Sequence, residues 1–281
     1  MIVKMKFLSI SGPRTDIDRV CQVYLSRHEM QLENAIAELK TTENLLPFVE
    51  VNPYREPLNK AEEFAALLTD SKVEPDLSMD QDAMTGLIRD LNHQYLELME
   101  RKERLKKHKE ELTEKLNVLE PFRPLEVNLH DVMGYRYMRV RFGRINVDYY
   151  RRLEKYLYED LNAIFLEGVR NENYVYGCYF VENADAGKTD ATFHSLHFEK
   201  IPLSKEYIGT PAQACESLKE DISHAGEQIE KVEAEVADLI GSHAAQIKGA
   251  QRRLEELADN FDIRKMAARM EDDEDKEDYY I

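Results

Sequence analysis

The sequence predicts an α+β chain in which two α/β lobes are joined by a long antiparallel two-helix coiled coil. Three observations predict it. Two long stretches repeat apolar residues in alternating steps of three and four, the signature of a helix seam. The residues between those stretches instead alternate strand and helix patterns. The composition is 33% charged and 43% hydrophobic with a net charge of -17, a balance that suits solvated helices with an apolar stripe better than one compact globule. The length of 281 residues leaves room for about two domains. With only 11 Gly and 9 Pro and no Trp, a loop-rich β-sandwich is disfavoured.

The first seam is Met84, Ile88, Leu91, Tyr95, Leu98, Lys102, Leu105, Lys109, Leu112, Leu116 and Leu119, which predicts one helix over residues 80–119. Such a helix cannot bury its own stripe. Cys215, Leu218, Ile222, Ala225, Ile229, Val232, Val236 and Leu239 supply the partner, in a helical stretch over 209–260 that opens at Pro211, where a missing N–H costs little. Two complementary seams so placed predict an antiparallel hairpin with a domain inserted at its tip. The chosen register sets Leu98 against Ile229, Leu105 against Ile222, Leu91 against Val236 and Lys102 against Ala225; a shift of one heptad either way preserves the same pattern. After Gly241 the apolar stripe slips to Ile240, Ala244, Ile247, Leu254, Leu257 and Phe261, which marks where this helix leaves the coiled coil.

The insert, residues 121–208, alternates from Tyr135 to Phe142, with Met138, Val140 and Phe142 on one face and Tyr137, Arg139 and Arg141 on the other. A helix from Val147 to Leu161 follows, carrying Tyr150, Leu153, Leu157 and Leu161. Ala163–Val169 and Tyr174–Val181 form two strands about a turn at Arg170–Asn173. A helix through Ala184–His194 and a last strand near Leu196–Leu203 complete the order β-α-β-β-α-β, that of the ferredoxin-like split unit.

The N-terminal segment, 1–76, makes the proximal α/β lobe, with 262–281 packing back on it. Val3, Met5 and Phe7 alternate into a turn at Ser11-Gly12-Pro13. Ile17, Val20, Cys21, Tyr24 and Leu25 mark a helix, residues 30–52 are extended, and Ala61–Leu68 is helical. The block Glu271–Asp278 is a solvated acidic run. Tyr279-Tyr280-Ile281 after it reads as the beginning of a strand, which suggests a piece of a longer protein.

No chemistry-bearing motif stands out. Gly187-Lys188-Thr189 echoes the end of a phosphate loop, but the glycine needed five residues earlier is Glu182, whose charge would repel the ligand. His194 and His197 straddle a helix-to-strand junction, with no acid or cysteine cluster to complete a metal site. Cys21, Cys178 and Cys215 have no metal-like spacing and read as small buried hydrophobes in a reducing compartment. The reading is therefore non-enzymatic, with no catalytic, metal or cofactor residues. The acidity opposes nucleic-acid and anionic-membrane binding, and no signal peptide or membrane span is present in these residues. One region runs against the acidity: Arg136, Arg139, Arg141, Arg144, Arg151, Arg152 and Lys155 crowd the first strand and helix of the insert. They form either a mixed-charge surface or a docking patch for an acidic partner. The aromatic strand Tyr174–Val181 leaves open an RNA-binding sheet on which Tyr176 and Tyr179 would stack bases.

The stretch Met1–Arg14, with Asp16-Ile17-Asp18-Arg19, Tyr24-Leu25, Glu29, Leu32-Glu33-Asn34-Ala35 and Asn52-Pro53-Tyr54, resembles the N-terminus of subunit I of bacterial V-type ATP synthases, the counterpart of subunit a in vacuolar ATPases. The resemblance covers the first 54 residues. It implies two α/β lobes on a long antiparallel coiled coil, and the role of a non-catalytic cytoplasmic stator arm in a proton or sodium pump. It also implies peripheral-stalk subunits E and G as partners. The parent it implies is a multi-pass membrane protein whose ion-translocating half is absent from these residues, so no ion-binding position carries over. A coiled-coil scaffold of another assembly is the competing reading.

Overall fold

The computed structural model describes residues 6–25, 30–33, 35, 45–47, 51–68, 73–159, 161–264, 267–270 and 279–280. In chain order the first elements are β1 (Gly12–Pro13), α1 (Ile17–Val20), which a π turn extends over Cys21–Leu25, β2 (Leu45–Pro47), α2 (Arg55–Leu67) and α3 (Gln81–Leu119). Then come α4 (Leu129–Met133), β3 (Met138–Asn146), α5 (Val147–Glu159), β4 (Ala163–Arg170), β5 (Tyr174–Glu182), α6 (Ala186–Ser195) and β6 (Glu199–Lys200). The last are α7 (Pro211–Ser242), α8 (Ala244–Ile263), β7 (Ala268–Met270) and β8 (Tyr279–Tyr280). The chain forms two compact units, Met1–Leu98 with Ala234–Ile281, and Met99–Glu233. No helix among the described residues is long and apolar enough to cross a membrane.

In the first unit, Leu58, Ala61 and Phe64 lie one turn apart on α2. They pack with Met84, Ile88 and Leu91 of α3 and with Ile247, Ala250, Leu254 and Ala258 of α8. Buried Asn52 holds the entry to α2: its Nδ2 donates to Ala258 O at 2.9 Å and to Asp262 Oδ1 at 3.1 Å. Arg55 adds an ion pair to Asp262. Helices α7 and α8 meet at His243, whose φ of -105° and ψ of 13° break the helical run at the point where the apolar stripe slips. Gly249 lets the chain at Asp76 pass over α8, since a Cβ there would meet Asp76 O at 1.8 Å. The small sheet is antiparallel in the order β1-β8-β7-β2. Gly12 and Pro13, expected as a turn, are instead paired with Tyr280 and Tyr279. Val3 and Met5, and most of the extended stretch expected over 30–52, lie outside the described residues.

In the second unit, parts of α3 and α7 run antiparallel. The register is one heptad away from the one the sequence suggested. Lys102 Nζ meets Glu233 at 2.8 Å, Lys109 Nζ reaches across Gly226, and Cys215 lies beside Glu120. These pairs set Leu112, not Leu105, opposite Ile222. Hydrophobic alternation cannot tell the two registers apart. The polar pairs can, because the observed one gives Lys102 an acid and lays the Lys109 stem across a residue without a side chain.

The four-stranded sheet has the order β4-β5-β3-β6 with every neighbour antiparallel, the ferredoxin-like order. Both of its faces are covered. On one, Ile145, Val175, Tyr179 and Val181 pack with Tyr150 and Leu153 of α5 and Phe193 of α6. On the other, Phe142, Cys178 and Tyr176 meet Phe122, Leu129 of α4, Leu119 of α3 and Leu218 of α7. Asn128 caps α4 by accepting from the His130 and Asp131 amides. Gly143 and Gly177 face each other across β3 and β5. The Phe198 and Phe165 rings lie over them, so that a Cβ would come within 2.4 Å and 2.5 Å respectively. Strand β6 is shorter than the expected Leu196–Leu203. Pro202 fixes φ near about -65°, far from the roughly -140° of an antiparallel strand, and turns the chain off the ladder.

Candidate partner-docking surface

Strand β3 sorts its arginines by the period of two. Arg139 and Arg141 share the face of Ile145, toward α5 and α6, while Arg144 shares the face of Val140 and Phe142. The basic cluster therefore does not converge on one point. Arg144 pairs with Glu199 at 2.7 Å and lies 4.3 Å from the centre of the Tyr174 ring. Its pKa is raised, first by the Tyr176 hydroxyl and then by Glu199, so it is a committed structural cation. Arg141 is half-buried and donates to Val140 O at 3.3 Å. Arg152 lies 5.7 Å from the Tyr149 ring centre. Arg136, Arg139, Arg151 and Lys155 are exposed and form no ion pair among the described residues. Tyr137, 84% exposed, and Tyr135, 49% exposed, flank Arg136. The surface that remains is thus Arg136, Arg139 and the two tyrosines beside the start of β3, with Arg151, Arg152 and Lys155 on α5. Arginine and tyrosine are the residue types over-represented at interface anchors.

Behind Arg141 lies a polar network that no local sequence pattern announced. Tyr179 is fully buried, stacked on Phe193 with ring centres 3.9 Å apart, and its hydroxyl donates to Asp190 Oδ1 at 2.5 Å. Lys200 approaches the other oxygen at 3.4 Å. Burial alone would raise the Asp190 pKa, but the Tyr179 hydroxyl, Lys200 and Arg141 outweigh it and hold the carboxyl below its usual range. Burial, then Asp190, pushes the Tyr179 phenol well above its ordinary value, so it stays a protonated donor. The network ties α6 and β6 to the middle of the sheet. Asp190 was missed because a single acid in an amphipathic helix gives no signal of its cross-strand partners.

The RNA-binding reading is overturned by the same packing. Tyr179 is buried under α6, and the half-buried Tyr176 packs edge-on against Phe122 at 6.2 Å on the opposite face, so the two rings do not form one open stacking platform. Gly187-Lys188-Thr189 forms the start of α6, with Thr189 buried beside Ala186 and Phe193 rather than open to a phosphate. His194 and His197 are both exposed, and His197 adopts a φ of 57° against the Tyr149 ring. Among the described residues no group of three or more His, Cys, Asp or Glu is placed to hold a metal. The cysteines are free and buried. Burial pushes the Cys178 thiol up to about 12, and burial followed by the Glu120 carboxylate pushes Cys215 up to about 11, so both are inert thiols at neutral pH.

No family model and no curated protein matches the chain. Among solved structures, it is similar to the crystal structure of the cytoplasmic N-terminal domain of subunit I, homolog of subunit a, of V-ATPase. That similarity spans 91% of this chain and 87% of the other, at 14% identity and a TM-score of 0.43.

Proposed function

We propose that this chain is the cytoplasmic stator arm of a rotary V-type ATPase or ATP synthase. In that role it links the peripheral stalks to an ion-translocating membrane domain borne by a further part of the parent polypeptide. The observation that carries the reading is the chain order: helices of 39 and 32 residues bracket a complete small α+β unit, behind an N-terminus whose residues resemble subunit I. In this reading α3 and α7 form the long coiled coil, and the two α/β bodies are its lobes. A stator works by not yielding. Two helices that brace each other through an apolar seam resist bending better than either alone, and their charged outer faces keep the arm in water.

The partners in this reading are the peripheral-stalk subunits E and G, and Arg136, Arg139, Arg151 and Arg152 form one docking contact for an acidic stretch of theirs. Arg141 and Arg144 support this surface from behind, through Asp190 and Glu199. The test is a pull-down of a purified E–G heterodimer by wild type and by Arg136→Glu/Arg139→Glu. These two are chosen because both are exposed, whereas a Glu at Arg141 would face Asp190 and disturb the fold. The charge reversal weakens capture at least about tenfold, a modest sum for two interface charges. Equal capture by both proteins removes the patch from the account.

A further inference from the structure

We infer that β3 has an open edge at Met138–Arg141, and that it accepts an extended acid-apolar segment of a protein partner as an added strand. The inference rests on the docking role proposed above and names the form of the partner's segment. Strand β3 pairs with β5 along its whole length, Met138 to Asn146, but with β6 only at Gly143 and Arg144. Beyond these the Ile201 amide donates to Phe142 O at 2.8 Å, and no further ladder bond follows among the described residues. That bond also fixes the parity. Phe142 points its backbone groups toward the β6 side, so Val140 and Met138, two and four residues away, do the same. Among the described residues the Val140 carbonyl accepts on this side from the Arg141 guanidinium, a side-chain contact and not a ladder bond. A bare strand edge of this kind is a template for another strand.

The side chains beside that edge state what the strand should look like. Arg139 and Arg141 lie on one face of β3, and Met138 and Val140 on the other. Arg136 and the exposed Tyr137 stand at the open end. A strand laid against this edge meets the exposed Arg139 on one face, with Arg136 at the end and Arg141 already engaged by Asp190, and apolar groups on the other, so alternation of acidic and apolar residues is complementary to it. The protein's own strong acidity elsewhere, -17 overall, disfavours self-association and leaves this basic edge for a different chain.

The test uses the full chain and two synthetic decapeptides that alternate Glu and Val, one of them N-methylated at every amide so that it keeps its charge but has no N–H on either edge with which to complete a ladder. Residue-resolved amide exchange is read with and without each. The expected result is that the unmethylated peptide slows exchange at Met138 and Val140 about tenfold or more and the methylated one does not. Binding of the unmethylated peptide is also lost in Arg136→Glu/Arg139→Glu. Equal binding of both peptides without protection at those two amides overturns strand addition in favour of plain charge attraction, and binding of neither overturns it as well. Either failure leaves a positive E–G pull-down standing. A strand-specific result beside a negative pull-down keeps the edge and rejects the stalk as its partner.

Discussion

Tyr179 and Asp190 show how one hydrogen bond can hold two elements together. Removing the phenol oxygen with Tyr179→Phe keeps the ring stack on Phe193 but strips the half-buried Asp190 of a donor. The loss should be about 1–3 kcal/mol, measured as a lower denaturant midpoint at an unchanged slope. The pH response follows from the direction of the shift. The folded state holds Asp190 below its ordinary value, so in the window beneath about pH 4 the unfolded chain binds the proton first. The stabilisation is therefore present above that window and is lost as pH falls through the folded pKa. Asp190→Asn should flatten this part of the acid limb in a stability titration, whereas an unchanged limb would deny Asp190 the role. The arginines of the insert were legible as a local cluster. Their partition was not, because Glu199 and Asp190, which engage Arg144 and Arg141, come from segments some fifty residues further along.

The elements themselves were largely readable where the pattern was local. Alternation in β3, the Arg170–Asn173 turn between β4 and β5, and the apolar spacing of Tyr150, Leu153 and Leu157 each state their own structure. The stripe slip after Gly241 marks a real break at His243. What failed is what depends on distant partners, namely the length of β6, the pairing of Gly12-Pro13, and the helix register. Register can be tested directly. Leu112→Cys/Ile222→Cys should form a disulfide under mild oxidation, and Leu105→Cys/Ile222→Cys should not; the reverse outcome would restore the register the sequence suggested. Gly143 gives a second test at this scale. Gly143→Ala places a methyl group within 2.4 Å of the Phe198 ring and 2.3 Å of Glu199 O. It should detach β6 and cost about 1–3 kcal/mol of overpacking strain, read as a drop in Tm.

For the molecule as a whole, composition favoured long charged helices over a single globule; the chain forms two compact units whose boundaries, Leu98/Met99 and Glu233/Ala234, fall inside the two long helices and not at the lobe limits the sequence suggested. The proposed function rests, at the level of the sequence, on the N-terminal likeness to subunit I, because nothing in the candidate surface is chemistry that names its own substrate. The surface is a small basic and aromatic exception on a chain of charge -17, and exposed charge pairs of that kind weaken as salt rises. Whether the chain is a stator arm can be read from co-elution of the wild-type chain with a purified peripheral-stalk E–G heterodimer on size exclusion, at low and at physiological salt. A stator arm docked through exposed charges forms a stoichiometric complex at low salt that weakens as salt is raised. Separate elution under both conditions would contradict it.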